Sequence, residues 1–475
     1  MHRLTGLDAG FLYMETPSLH MHTLKVAVLA PPPGGPPGFG WMRAEIGRTL
    51  GGLAPLRRRL VEVPGRFHHP VWIDGGDLDL DHHVRRVVLP PPGDRRTLEA
   101  AIGALAGVPL DRRRPLWCLY LFEGLADGRI AVLVKLHHAV ADGAAASALL
   151  AAAMQAATGD PATRDAPAGP RWPAEPVPSR RRLVADACVD HARQLVALPG
   201  LVRRTARTFA ALRTHRRSST VRPPRPVLDT PRTPFNGALS PYRAFATATV
   251  ALADARAVKQ AFGVSLNDVV LAMVAGAVRS YLADRGELPA RPLVVGVPVA
   301  ADPPGAGGSR LEGNRVSNLF TTLATDQADP VARLRTIHRV TAEAKQLQRL
   351  LGTDTFAAWV QYTPPRPYAW VVRQWSRRRI ADRLPPPINL VVSNVAGPAE
   401  VLAAAGARLE ELYSVGPVLE GIGLNVTVWS YADRLGVGVL TCRRALPEPA
   451  DLAGRMAPAL AELVASIPVA VAGAG

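Results

Sequence analysis

The sequence predicts an α/β protein of two domains, and three observations carry that expectation. The chain has 475 residues, 48% of them apolar. At roughly 150 residues per domain this allows three units or two large ones, with a core that needs neither disulfides nor metals. Strand-like and helix-like runs alternate over residues 1–160 and again over 235–475. Between them, over residues 161–234, prolines crowd both ends and arginines fill the middle. Mixed strands and helices on either side of a long link indicate two α/β-type domains rather than one.

The elements follow in order. Thr23–Leu29 and Ile130–His138 read as strands, and Glu99–Ala106 as a helix. After Phe235, Ser265 and Asp268 form a capping-box start to a helix over Leu266–Leu282. Apolar strands are expected at Pro292–Val299, Asn389–Ser393, Leu424–Ser430 and Leu435–Leu440, and a closing helix at Asp451–Ser466. Aromatic residues make up only 5% of the chain, so alanine, valine and leucine must fill the core. No short repeat stands out.

Composition removes several classes. No run of 18 or more apolar residues is free of charge, which argues against a membrane-spanning helix. Near the start, Asp8 and Glu15 interrupt any apolar run of signal-peptide length. Cys118, Cys188 and Cys442 are scattered without CxxC spacing, which fits a reducing, cytoplasmic setting. The net charge is +17, and only four of the 56 basic residues are lysines, Lys25, Lys135, Lys259 and Lys345. Arginine's planar fork suits oxyanions, so nucleic acid, anionic membrane and polyphosphate ligands are the partners to weigh.

Much of that charge is concentrated in the link. Twelve arginines and two aspartates between Arg180 and Arg225 give +10 of the +17. Leu201, Val202, Thr205, Phe209 and Leu212 share one helical face, with Arg203, Arg204 and Arg207 opposite. Such a helix packs as a crossover through its apolar stripe, or lies in an anionic membrane interface, and the two are compatible. Nucleic acid is the weakest of the three readings, because no aromatics are interleaved and no binding signature accompanies the basic run.

The strongest chemical signal is His137-His138-Ala139-Val140-Ala141-Asp142-Gly143. It ends a strand on which Ile130, Val132, Val134, Leu136 and His138 share one face, so His137 points the other way with Lys135. Asp142-Gly143 then turns the chain into an alanine-rich helix over 144–157, which Asp142 can cap unless it holds a buried arginine. A histidine neutral near pH 7 is a suitable general base for a hydroxyl or amine attacking an activated carbonyl. A thioester donor requires no enzyme nucleophile, consistent with the absence of a GxSxG elbow. Adjacent strand histidines diverge, and nothing nearby completes a metal-ligand set. His68, His69, His82 and His83 lie in polar, turn-rich surroundings and read as surface histidines.

HHAVADG matches the HHxxxDG signature of CoA-dependent acyltransferases and peptide-synthetase condensation domains. The flanking segments select one branch. Leu7-Asp8-Ala9-Gly10-Phe11-Leu12, Glu15-Thr16-Pro17, Met21-His22, Pro109-Leu110-Asp111, Pro115-Leu116-Trp117 and Asn267-Asp268-Val269-Val270-Leu271 resemble segments of bacterial wax ester synthase/diacylglycerol acyltransferases. So do Gly313-Asn314-Arg315-Val316-Ser317, Asn389–Val395 and Gly423–Thr427. The series runs from residue 4 to about residue 447 in family order. Departures are Cys118 where the family usually has an acidic residue, Ala396 for proline, and Gly6 and Gly10 where proline and serine are common.

The resemblance implies an α/β fold with mixed (α+β) sheets, in two chloramphenicol-acetyltransferase-like domains with the active-site channel between them. It implies His138 as the base, Asp142 as chiefly structural, His137 as support for site geometry, and no cofactor, acyl-CoA being a substrate. Gly143 belongs to the same turn. Asn267 and Asp268, at a helix N-terminus, are candidates to steady an oxyanion or to order the helix entry. Ser393 and Asn394 are candidates to line the channel or to turn the chain. Pro115-Leu116-Trp117 is expected to pack the core.

The expected activity is acyl transfer from acyl-CoA to diacylglycerol, giving triacylglycerol, with long-chain alcohols as a second acceptor class giving wax esters. Transfer is expected to be direct, without an acyl-enzyme. The expected setting is cytoplasmic and peripheral, at the inner face of the plasma membrane or at lipid droplets, with no nucleic acid partner. Two alternatives stay open: a condensation-type enzyme using a carrier-bound donor, and a non-catalytic lipid-surface protein.

Overall fold

The computed structural model describes residues 1–31, 38–157, 172–300, 313–404 and 407–468. The outer part of the link's first boundary, residues 158–171, lies outside them. Four strands begin the first domain: β1 (His22–Leu29), β2 (Val84–Val88), β3 (Trp117–Glu123) and β4 (Ile130–His137). The second contributes β5 (Arg243–Ala251), β6 (Val294–Ala300), β7 (Val316–Thr322) and β8 (Leu390–Val395). Then come β9 (Ala403–Ala404), β10 (Ala407–Val415), β11 (Leu424–Tyr431) and β12 (Arg434–Cys442). They form two mixed six-stranded sheets, in the orders β9-β10-β1-β4-β3-β2 and β7-β6-β8-β11-β12-β5. A small third sheet joins His2–Arg3, Val71–Asp74 and Arg58–Val61.

The division at residue 235 is therefore not respected by the strands. β9 and β10 come from the C-terminal third but complete the first sheet, where β10 pairs antiparallel with β1. This exchange leaves no local trace, because an apolar alternating strand carries no label of its sheet. Gly436 and Gly438 of β12 let the backbone of β10 cross directly over it, since a Cβ at either would collide with the carbonyl of Leu412 or Ser414.

The helices that position the site are α1 (Gly6–Tyr13), α2 (Phe39–Gly51), α3 (Arg95–Ala106), α4 (Gly143–Ala157) and α5 (Arg180–Ser218). From the second half of the chain come α6 (Leu266–Ala283), α7 (Pro330–Leu351), α8 (Thr353–Val360) and α9 (Pro365–Arg377), the last two packing on α1. Helix α3 starts four residues earlier than its apolar periodicity suggests, because Asp94 caps it through the Thr97 amide. The capping box of Ser265 and Asp268 is present at α6. The closing helix is two pieces, Pro449–Gly454 and Met456–Ala465, separated at Arg455. Helix α6 is long and apolar enough to cross a membrane, but 72% of it is buried inside the second domain as a core element.

The link becomes α5, 39 residues long, with Pro199 inside it. Leu201 and Leu212 are buried, and Thr205 accepts a hydrogen bond from the Trp359 indole of α8 at 2.9 Å. The rest of the predicted stripe is outside: Val202 and Phe209 are 50% and 63% exposed. Packing takes the middle of the stripe and leaves its edge to solvent. His68, His69 and His83 are buried, contrary to the surface reading. His83 stacks on Trp117 and hydrogen-bonds its carbonyl, and His69 binds Tyr13 and the carbonyl of Gln361. These contacts span large sequence separations that a local reading of polar turns does not reveal.

Candidate active site

Strand β4 ends at His137, and the chain turns through residues 138–142 into α4. Asp142 fixes that turn: its carboxylate accepts from the Ala145 amide at 2.9 Å and from the Arg315 amide at 2.9 Å. It thus caps α4 and ties in the segment Gly313–Arg315, which also pairs along the turn through a parallel bridge between Ala141 and Gly313. Gly313 adopts φ 74°, the left-handed region open to glycine, and its amide donates to the Val140 carbonyl. Gly143 lies against the C-terminal end of β8, where a Cβ would stand 3.3 Å from the Val395 side chain.

This arrangement delivers Asn314 to His138. The Asn314 amide nitrogen donates to the Asp8 carboxylate at 2.6 Å and to the His138 carbonyl at 2.7 Å. Both of its hydrogens are thereby assigned, so Oδ1 faces His138 Nδ1 at 3.0 Å and can only accept. Nδ1 must carry the ring proton, which leaves the Nε2 lone pair for a substrate. Phe11 of α1 packs on the imidazole, with ring centroids 4.3 Å apart. Burial lowers the His138 pKa to about 4, so the ring is neutral at pH 7. Burial raises Asp8 to about 6, against the hydrogen bonds of Asn314 and Thr5. A neutral imidazole with a fixed tautomer and, among the described residues, no hydrogen-bond partner at Nε2 can act as a general base.

His137 points to the other face of β4, as its parity requires. Its Nε2 lies 3.2 Å from Glu15, which also pairs with Arg112 at 2.6 Å. Burial pushes the Glu15 carboxyl up, but His137, Arg112 and His22 outweigh it and hold the pKa well below the ordinary value. His137 therefore anchors β4 to the segment after α1, which carries Asp8 and Phe11.

The other predicted residues fall into two groups. Ser393 and Asn394 are half-buried on β8, just before the Val395 that touches Gly143. Asn267 and Asp268 begin α6, where Asp268 closes the capping box and contacts His338 of α7 at 2.9 Å. Among the described residues no hydrogen bond links either one to the His138 cluster. Asp8 and Asn314 lie in two of the family-like segments, but the sequence assigns neither a role at the site. They stand 306 residues apart, and nothing local marks them as partners.

Two openings adjoin the site. A cleft of about 410 Å³ is lined by Asp8, Val140, Gly313 and Asn314 together with Arg3, Arg58 and Arg315. On the face of β4 that carries His138, an apolar cavity of about 180 Å³ runs between the first sheet, α2 and α4. Val132, Val134 and Leu136 line it from below, and Ala146, Leu149 and Ala153 from α4. Elsewhere, His82, His83 and Cys118 bring ligand atoms within 4.8 Å of one another. Three such donors can hold a metal ion, but Arg85, Arg114 and Lys135 act on the same groups and oppose a dication.

Comparison with known proteins identifies the family. The model of the wax ester synthase/diacylglycerol acyltransferase catalytic domain matches residues 4–270, and that of the family's C-terminal domain matches residues 312–464. A protein of Mycobacterium tuberculosis named as a proposed diacylglycerol O-acyltransferase is 40% identical over 461 residues, covering 96% of this chain and 94% of the relative. A second M. tuberculosis protein so named is 35% identical over 478 residues, covering 98% and 90%. The solved wax ester synthase/diacylglycerol acyltransferase from Marinobacter aquaeolei VT8 superposes with a TM-score of 0.65 at 27% identity, covering 98% of each chain. The first condensation domain of the CDA synthetase shares the fold at a TM-score of 0.57 and 18% identity, covering 98% of this chain and 97% of the other. The chain is an acyltransferase and belongs to the wax ester synthase/diacylglycerol acyltransferase family.

Proposed function

We propose that this enzyme transfers an acyl group from acyl-CoA to the free hydroxyl of a diacylglycerol or a long-chain alcohol, with His138 as general base. The observation that carries the reading is the hydrogen-bonded series Asp8–Asn314–His138, which leaves His138 Nε2 free to accept a proton. His138 Nε2 takes the hydroxyl proton as the oxygen attacks the thioester carbonyl. The tetrahedral intermediate collapses, the C–S bond breaks, and the CoA thiolate takes the proton back from the imidazolium. No bond to the enzyme forms. The arginine-lined cleft suits the CoA phosphates, and the apolar cavity suits a hydrocarbon chain. Ser393 and Asn394 would line the channel between the domains. Incubation of purified protein with radiolabelled long-chain acyl-CoA and a mixture of diacylglycerol and long-chain alcohol should give labelled neutral ester and free CoA. Absence of both esters, with transfer only from a carrier-bound thioester, would favour condensation-type chemistry instead.

The link helix supports attachment to a lipid surface. Arg203, Arg204 and Arg207 of α5 are exposed, and Val202, Phe209, Leu195 and Val196 add apolar side chains beside them. Phe356 of α8 is also exposed, at 56%. Basic and apolar groups together favour an anionic interface. Replacing the three arginines with glutamine should leave most of the protein in the supernatant when it is spun with phosphatidylglycerol vesicles at low salt. Undiminished pelleting would remove α5 as the contact.

A further inference from the structure

The apolar cavity beside the site contains one feature that a hydrocarbon chain does not explain. Lys25 of β1 lines it, on the face shared with Ala27 and Leu29, and its side chain is buried. Nζ donates to Ser414 Oγ, directly across the β1–β10 pair, at 2.6 Å. It also lies 5.0 Å from the centre of the buried Trp429 ring. Among the described residues no carboxylate lies within ion-pair distance of it. Of the other polar side chains lining the cavity, Glu45 is taken by Arg48 and Thr49 is uncharged. An ammonium has three hydrogens to donate, and this one has a single neutral acceptor.

Lys25 also stands at the end of the cavity nearest the chemistry. Trp429 pairs with Val395, the residue that touches Gly143 of the His138 turn. Burial lowers the Lys25 pKa to about 8 while the Asp142 carboxylate opposes the shift, so the group is charged at pH 7 and within electrostatic reach of that turn. A long-chain alcohol offers nothing but methylene beyond its reacting hydroxyl. Laid in this cavity it would strip water from the ammonium and return no hydrogen bond. A diacylglycerol carries ester carbonyls only a few bonds from its free hydroxyl, with the chains continuing beyond them. One chain in the cavity brings a carbonyl oxygen to the place where the ammonium lacks an acceptor.

We infer that Lys25 makes the enzyme selective for a glycerolipid acceptor, by donating from Nζ to an ester carbonyl of the acceptor whose chain fills the cavity. The inference rests on the acyl-transfer reading given above and deepens it. The test compares 1,2-diacylglycerol with 1,2-dialkylglycerol, which keeps the hydroxyl and the chains but lacks both carbonyls. Wild-type kcat/KM should favour the diacyl compound by roughly tenfold to a hundredfold, as expected for loss of one charged hydrogen bond. In Lys25→Met the ratio of the two should collapse toward one, with the change mainly in KM. Equal use of both acceptors by the wild type overturns the inference without any variant. So does a Lys25→Met variant in which the two fall together, since Lys25 would then act on the donor or the transition state. If the wild type esterifies neither acceptor but acylates a long-chain alcohol, the inference fails and the acyl-transfer reading stands. If it acylates none of them, the reading fails first and takes the inference with it.

Discussion

His138→Ala should lower kcat by about 10²- to 10⁴-fold, the usual contribution of a general base. KM for acyl-CoA should change little, because the proton leaves the acceptor only as the transition state forms. The variant should still fold. Asp142 caps α4 through Ala145 and holds the Arg315 amide without help from the imidazole. The local cost is an Asn314 oxygen left without its donor, about 1–3 kcal/mol. Steady-state rates with diacylglycerol, beside a thermal melt, decide it. Undiminished ester formation by a folded variant would remove His138 from the chemistry.

The second large effect is expected from Asn314→Leu. Leucine can neither accept from Nδ1 nor donate to Asp8, so the imidazole is free to place its proton on Nε2, the wrong nitrogen for a base. The loss in kcat should reach about 10²-fold or more, approaching the roughly 10⁴-fold seen where a catalytic imidazole is held in the wrong tautomer. Asp8→Asn should cost less, since an asparagine oxygen still accepts from the Asn314 amide. The order of the two variants is the discriminating result. An Asn314→Leu enzyme within a few-fold of wild type would mean that the tautomer of His138 is set by something other than Asn314.

Much of this was legible in the sequence, and the divide between what was and was not is physical. The strand-turn-helix of residues 130–157 follows from alternation, a capping aspartate and a run of alanines, all local signals. The capping box at Ser265 and Asp268 is local too. Function followed from the resemblance carried by HHAVADG and its flanking segments. The partners of His138 did not, although Leu7-Asp8-Ala9 and Gly313-Asn314-Arg315 both stood out as family-like. Their roles depend on a hydrogen bond between residues that no periodicity relates. The same holds for His69 and His83, whose polar neighbours in sequence hide the aromatic rings and carbonyls they meet in space. Of the apolar stripe on α5, Leu201, Thr205 and Leu212 face the protein and Val202 and Phe209 do not, a division that depends on α7 and α8.

The entry of β10 into the first sheet has a further consequence. Until residue 415 has left the ribosome, β1 has no neighbour on that side and presents a row of unpaired backbone groups. The first sheet is therefore complete only once β10 has been made, and the two halves of the chain share it. Once locked, they cannot swing apart about the link as bodies on a hinge.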